Sequence, residues 1–267
     1  MDDNGSGVIQ LDRALRALHE GTGRGVRVAV IDSGIEISHP RLSGLKLRDD
    51  IHVVDAGLHV EARPGDGTDL FGHGTAVASI IRSIAPEAEI GSVRVLGQHL
   101  DSRTVIIREG VRQAFDRGYA ILNCSFGCGL PQHIFQYKEW VDEAYLHGVH
   151  IVSACNNDDF SKPEWPGYFP SVITVNMARV ADYHRFYYKP GNLVEFAARG
   201  VDIEVPWNRG AIKQMTGSSF AAPVFSGLLA RLLSVFPKLR PLEAKSILLR
   251  AAAPWTADNP ETANWLA

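Results

Sequence analysis

Cysteine is scarce in this chain: Cys124, Cys128 and Cys155 are the only three among 267 residues. An odd, small number does not make a disulfide framework and suits a reducing interior. Cys124 and Cys128 form a Cys-x-x-x-Cys spacing with no second pair, and the ten histidines include no His-Glu-x-x-His, so no structural or catalytic metal is expected. An excess of one charge is also missing. With 27 Lys and Arg against 30 Asp and Glu the net charge is -3, which offers no basic surface to nucleic acid. No run approaches the roughly 18 apolar residues of a membrane span, and Arg231 interrupts the longest apolar stretch, so no membrane partner is expected. The opening Met1-Asp2-Asp3-Asn4-Gly5-Ser6-Gly7 is acidic and has no apolar segment of the kind a secretory leader needs, so the expected location is cytoplasmic. Gly21-Thr22-Gly23-Arg24-Gly25 is glycine-rich but precedes a strand, so it reads as a loop and not as a dinucleotide-binding turn. Internal repeats, low-complexity tracts and a second domain are all absent, and no cofactor is implied.

What is present alternates between strand and helix. A helix at Leu11–His19 precedes a β-branched run, Val26–Ile31, which reads as a buried parallel strand. Further strands are expected at Ile90–Leu96, Ala120–Cys124, Val149–Ala154 and Val172–Asn176, with helices at Thr104–Arg117, Lys138–His147 and Pro241–Ala251. Repeated β-α-β units predict an α/β fold with a mainly parallel sheet covered by helices on both faces. The segment from Pro254 to Ala267 is polar and weakly patterned, and is expected to be a mobile or interaction tail of a single domain over 1–267.

The richest local signal is Gly217-Ser218-Ser219-Phe220-Ala221-Ala222-Pro223, which opens an almost wholly apolar helix through Leu228, Leu229, Leu232, Leu233 and Phe236. Small polar residues at such a start are usually caps. A nucleophilic serine needs the same mount: a rigid helix start, backbone N–H groups and the positive end of the dipole. Asp32 ends the Val26–Ile31 strand, where open α/β sheets place their sites. His73, between Gly72 and Gly74, opens a second apolar helix, Ala76–Ile81. Taken singly, Asp32 could cap a turn, His73 could fill a core and Asn157 could hold a left-handed loop position. No shared structural need yields this set in the order Asp, His, Ser.

At these residues the chain resembles the subtilisin-like serine proteases, over most of its length. Asp32-Ser33-Gly34, His73-Gly74-Thr75 and Gly217–Pro223 match the family's three blocks in order. Leu122–Gly127 looks like its substrate-binding strand, Ile151–Asn157 like the strand ending in an oxyanion asparagine, and Trp165–Val175 like the segment that follows. The resemblance implies a three-layer α/β/α, subtilisin-like fold and a serine endopeptidase acting on a peptide or protein. Ser219 would be the nucleophile, His73 the base, Asp32 its orienting acid and Asn157 the oxyanion donor. Ser218 is the likelier structural hydroxyl of the pair. Substrate would lie extended between Leu100-Asp101-Ser102 and Ser125-Phe126-Gly127. Ala154, Cys155 and Asn156 would wall the pocket for the residue before the scissile bond (P1), with Glu164 at its base and Asp158 at its rim. Two carboxylates there imply a preference for Lys or Arg at P1; the alternative is that both face solvent. The three cysteines lie near this cleft, either as small buried side chains or as points of thiol sensitivity.

Departures from the family pattern matter too. The usual calcium-loop insertion is missing after Ser79-Ile80-Ile81, and Arg41 follows His39-Pro40 where an acidic ligand is common, so that calcium site is not expected. The equivalent of the mature domain begins almost at Met1. A pro-region therefore lies outside this chain, or the chain is restrained by a regulatory partner or a larger parent protein. Two other functions fit the same residues: acyl transfer, as in a peptide ligase or macrocyclase, and a pseudoprotease that only binds.

Overall fold

In a computed structural model, which describes residues 9–265, the elements run α1 (Leu11–Glu20), β1 (Arg27–Asp32), β2 (Asp50–Asp55), β3 (Val60–Pro64), α2 (His73–Ile84), β4 (Glu89–Arg94), α3 (Thr104–Asp116), β5 (Ile121–Cys124), α4 (Ile134–His147), β6 (His150–Ala154), β7 (Ile173–Ala178), β8 (Tyr187–Tyr188), β9 (Phe196–Arg199), β10 (Ile203–Trp207), β11 (Ala211–Met215), α5 (Ser218–Val235), α6 (Pro241–Ala251) and β12 (Ala253–Pro254). Among the described residues ten strands form one sheet, in the order β12-β8-β9-β7-β6-β5-β1-β4-β2-β3. The pairs from β2 through β4, β1, β5, β6 and β7 to β9 are all parallel, and the two antiparallel pairs of that sheet, β2–β3 and β8–β9, lie toward its edges.

β1 shows why both faces need helices. Val28 and Val30 point into the larger core with α1, α2, α5 and α6, while Ala29 and Ile31 point into a second core with α3 and α4. A strand buried on both faces has no polar alternation, which is why its sequence is a continuous apolar run. The result is a three-layer α/β/α arrangement. The chain leaves β1 toward β2 and β4 on one side, then crosses to β5, β6 and β7 on the other, so the order of the sheet reverses at β1. The crevice beyond β1's C-terminal end is therefore the natural place for a site.

α5 runs through the larger core. Ala221 to Ala230 are all buried, against α2, α1 and strands β5, β6, β7 and β9. By length and composition alone it would pass as a membrane span, contrary to the expectation from Arg231. It is 78% buried inside the fold, which marks it as a core helix. Arg231 turns its guanidinium back onto backbone carbonyls of Leu18 and Ile84.

Several elements had no expectation attached to them. No residue of β3 is buried, and every residue of β11 but the last is exposed, so neither leaves an apolar pattern. The expected tail from Pro254 is instead tied down among the described residues. Ala253 and Pro254 pair with Tyr187 and Tyr188, and Arg179 N–H donates to Glu261 O at 2.9 Å. Unmet backbone groups at the sheet's edge supply the reason, because an edge strand offers partners to any passing segment. Residues 1–8, 266 and 267 lie outside the described part.

Candidate active site

Asp32 ends β1 fully buried, and His73 begins α2 with 5% of its surface exposed. His73 Nδ1 lies 2.9 Å from both carboxylate oxygens of Asp32. Asp32 Oδ1 also accepts from Ser33 N–H at 2.7 Å. With Nδ1–H donated to a carboxylate, Nε2 is left as the acceptor, the tautomer a general base needs. Burial works against charge on the imidazole, but the charge and hydrogen bond of Asp32, with Asp69 behind, hold its proton affinity above the ordinary histidine value. Gly74 makes the approach possible: a Cβ there would sit 2.1 Å from Gly34 O and 3.2 Å from Asp32 Cβ, so any other residue would push α2 away from β1.

Asp69 had not been singled out. Its two oxygens accept from Phe71 N (3.0 Å), Gly72 N (2.7 Å), Thr75 N (2.8 Å), Thr75 Oγ1 (2.6 Å) and Ser33 Oγ (2.7 Å). It thereby satisfies donors at the start of α2 that have no partner within the helix. An aspartate a few residues before an apolar helix is a capping signal, and that signal was available in the sequence.

At the start of α5 the two hydroxyls have different surroundings. Ser218 is fully buried, and its Oγ donates to Cys155 O at 2.7 Å, as a structural hydroxyl would. Ser219 Oγ donates to Ser125 O at 3.2 Å, and Ser125 Oγ returns a bond to Ser219 O at 3.0 Å. The second bond follows from Pro223, which lies further into the helix than its first turn. A proline has no N–H to donate to the carbonyl four residues back, so Ser219 O is left open and Ser125 fills it. Behind Ser125 stand Asn123 Nδ2 (2.9 Å) and, on Asn123 Oδ1, Ser226 Oγ (2.9 Å), a buried network that fixes the end of β5 to α5. The Phe220 ring lies 5.4 Å from that of His73, centroid to centroid. Asn157 is exposed, and its Oδ1 accepts from Ser218 N–H at 2.8 Å. That bond fixes the amide and leaves its Nδ2 donor free beside Gly217. Asp32 and His73 thus meet directly, and Asn157 is bonded to the start of α5, where the ring of Phe220, next to Ser219, lies against His73.

A cleft of about 340 Å³, lined by none of Asp32, His73, Ser219 and Asn157, begins at Phe126, next to Ser125. Leu100 and Ser102 line one side, and Phe126 and Gly127 the other, joined by Ile107, Leu130 and Tyr137, which sequence reasoning had not placed there. Leu100 adopts a left-handed conformation (φ 59°) in the turn that begins at Gly97, and Ser102 Oγ donates to Val95 O at 2.7 Å. Asp101 is exposed and folds back over Gly97, away from the cleft lining. Ala154 and Cys155 are core residues: Ala154 belongs to the larger core and Cys155 to a small cluster with Phe160 and Tyr187. What those two offer a ligand is main chain, since their side chains are already packed. Burial pushes the Cys155 thiol up to about 12, and that of Cys124 higher still, so both stay protonated at neutral pH.

Glu164 is half-buried, and its Oε2 lies 2.6 Å from where a Cβ on Gly127 would be, which places its carboxylate against the Gly127 backbone and outside the lining of that cleft. Glu164 Oε1 accepts from Asn156 Nδ2 at 2.8 Å, and Asn156 Oδ1 accepts from the N–H groups of Asp158 (2.9 Å) and Asp159 (2.8 Å). The Asp158 side chain is exposed. On the far surface Arg41 pairs with Glu204 at 2.6 Å.

The sequence profile of the subtilase family matches residues 23–264. Over 220 residues the chain is 30% identical to the thermophilic serine proteinase of Bacillus sp. (strain AK1), covering 79% of this chain and 52% of that protein. It is 29% identical over 229 residues to subtilisin E of Bacillus subtilis (strain 168), covering 81% and 57%. With thermitase of Thermoactinomyces vulgaris the identity is 27% over 215 residues, covering 79% and 76%. The chain thus spans little more than half the length of the first two. A crystal structure of a cold adapted subtilisin-like serine proteinase matches with a TM-score of 0.71 at 26% identity, covering 86% of this chain and 83% of that one. By its sequence over nearly the whole length, and by its fold, the chain belongs to the subtilase family.

Proposed function

We propose that the chain is a serine endopeptidase in which Asp32, His73 and Ser219 form the catalytic triad and Asn157 is the oxyanion donor. The single observation that carries this is the buried Asp32–His73 pair, bonded through Nδ1 so that Nε2 is the free base, at the crevice where α5 presents Ser219. The Ser219 proton passes to His73 Nε2 as Oγ bonds to the substrate carbonyl carbon, whose oxygen takes the negative charge. Two donors receive it: Asn157 Nδ2 and the Ser219 backbone N–H, one of the unpartnered donors of the helix start. Collapse breaks the C–N bond, and His73 gives its proton to the leaving amine. Water then repeats the sequence to release the acid. The Ser219 Oγ bond to Ser125 O is a resting arrangement, exchanged for His73 once substrate displaces it.

Glu164 supports a preference for Lys or Arg at P1. Its bonding partner is the neutral Asn156 amide and not a cation, so its charge remains available to a ligand. Asp158 contributes only at the exposed rim. A panel of peptides varied only at P1, with products identified by mass spectrometry, tests both statements. Linear fragments ending in Lys or Arg are expected. Faster cleavage after Phe or Leu would remove the role given to Glu164. Joined products would turn the assignment to acyl transfer, and absence of any turnover would turn it to a binding module.

A further inference from the structure

The mechanism above leaves one buried charge unused. Asp69 is 9% exposed, carries no basic partner, and sits in the loop leading into α2 with five donors on its two oxygens. Three of those partners are backbone N–H groups, which can only donate, and they fall on both oxygens, so an amide of the same shape would turn its own N–H against one of them. Ser33 links the two carboxylates. Its hydroxyl is 2.7 Å from Asp69 Oδ1 and 3.1 Å from Asp32 Oδ1, and it accepts from Gly74 N–H at 3.2 Å. The residues on either side of His73, Gly72 and Gly74, are thus both bonded to this assembly, one directly and one through Ser33.

We propose that Asp69 is a positioning residue for this site, holding the start of α2 so that His73 meets Asp32 and placing a second buried negative charge behind the imidazole. This rests on the triad assignment made above. Asp69 touches neither substrate nor the reacting atoms; it acts through His73 and Ser33. Other groups facing this centre do not duplicate its charge. Asp32 faces His73 from β1, and the Cys124 thiol on β5 is close enough to Asp32 to be held protonated in part by it. Arg94 on β4 is engaged with Asp66 and Thr68, the Phe220 ring is neutral, and on β11 Lys213 lies over the Trp207 ring at 4.5 Å while His39 bonds Ala211 O.

The test compares the full chain with Asp69→Asn and Asp69→Glu, normalising turnover to the fraction of sites a fluorophosphonate titrates, and follows kcat/KM against pH. Activity requires neutral His73, so removing a negative charge behind it moves the acid limb to lower pH, by about half a unit or more. Turnover per titrated site is expected to fall up to about 100-fold, because small misplacements of a base are costly. Asp69→Glu keeps the charge, so its acid limb stays in place while its turnover falls. A purely structural residue would change the active fraction and leave the limb alone. NMR titration of the His73 Nδ1 proton, in a Ser219→Ala background, reads the same shift without any turnover, so it separates failure of this role from failure of the protease assignment. Asp69→Asn titrating like the unmodified chain would overturn the proposal. Should Asp69→Asn not fold, Asp69→Glu decides: reduced turnover at an unchanged limb supports it, and undiminished turnover overturns it.

Discussion

Asp32 and His73 are 0% and 5% exposed, and around them each carboxylate is bonded to several donors from two or more elements. Across the crevice, Asn157 and Asp158 are exposed, and the loop from Asn156 to Glu164 is held by the Asn156 amide, by the Asn157 bond to Ser218 N–H and by the buried Phe160 ring. The first region is over-determined: close backbone contact at Gly74, a capped helix start and buried charge all demand the same geometry. The second has few constraints and many solvent-facing atoms. The proposed base and its orienting acid are thereby fixed by the core, while the proposed oxyanion donor Asn157 and the proposed selector Glu164 sit on a loop more open to solvent.

Four substitutions probe that contrast, from the core outward. Ser219→Ala removes the proposed nucleophile, and peptide turnover should fall on the order of a million-fold while the unfolding midpoint stays within a degree or two; stopped assays and calorimetry read the two effects separately. Asn157→Ala should lower kcat by roughly 100- to 1000-fold with little change in KM, since its Nδ2 is needed when charge develops on the carbonyl oxygen. An equal loss in KM would mean that it merely binds substrate. Glu164→Gln keeps the Asn156 contact and discards the charge. The ratio of kcat/KM for Lys over Phe at P1 should drop about 10- to 100-fold, the worth of a charge-assisted bond, with the Phe value nearly unchanged. If both substrates lose equally, Glu164 supports the loop and does not select. Arg41→Ala breaks an ion pair whose two side chains are each more than half exposed. It should cost less than about 1 kcal/mol in denaturant unfolding, and less again in high salt.

Much of this contrast could be read before any coordinates were at hand, for physical reasons. Asp32, His73 and Ser219 sit where a strand ends or a helix begins, so each carries a periodic apolar run on one side as a marker. Ser218 could be separated from Ser219 only by its place in the motif, and its buried bond to Cys155 O agrees with the structural role. For Asp69 the sequence offers only an aspartate shortly before an apolar helix; which donors it meets, backbone N–H groups and two hydroxyls, is not marked by residue identity. The edge strands β3 and β11 were missed because solvent-facing positions need no apolar alternation. Ala154 and Cys155 were expected to wall the pocket; their side chains, at and just past the end of β6, pack into two different clusters, so only their main chain is left for that role. Pro223 is visible in the sequence as the end of the motif that opens its helix. Its deeper position, and the use of Ser125 to satisfy the carbonyl it frees, depend on a contact made 94 residues away in the chain.

The claim that ties these observations together is that the buried Asp32–His73 pair makes Ser219 a nucleophile. Its most direct test is the rate at which a fluorophosphonate labels the unmodified chain across the pH range, with the modified residue identified by mass spectrometry. Expected is labelling confined to Ser219, rising with pH through a midpoint above 6.5, the ordinary histidine value, because Asp32 and Asp69 outweigh burial at His73. Labelling that misses Ser219, or that reaches it at a rate indifferent to pH through the histidine range, would contradict the assignment.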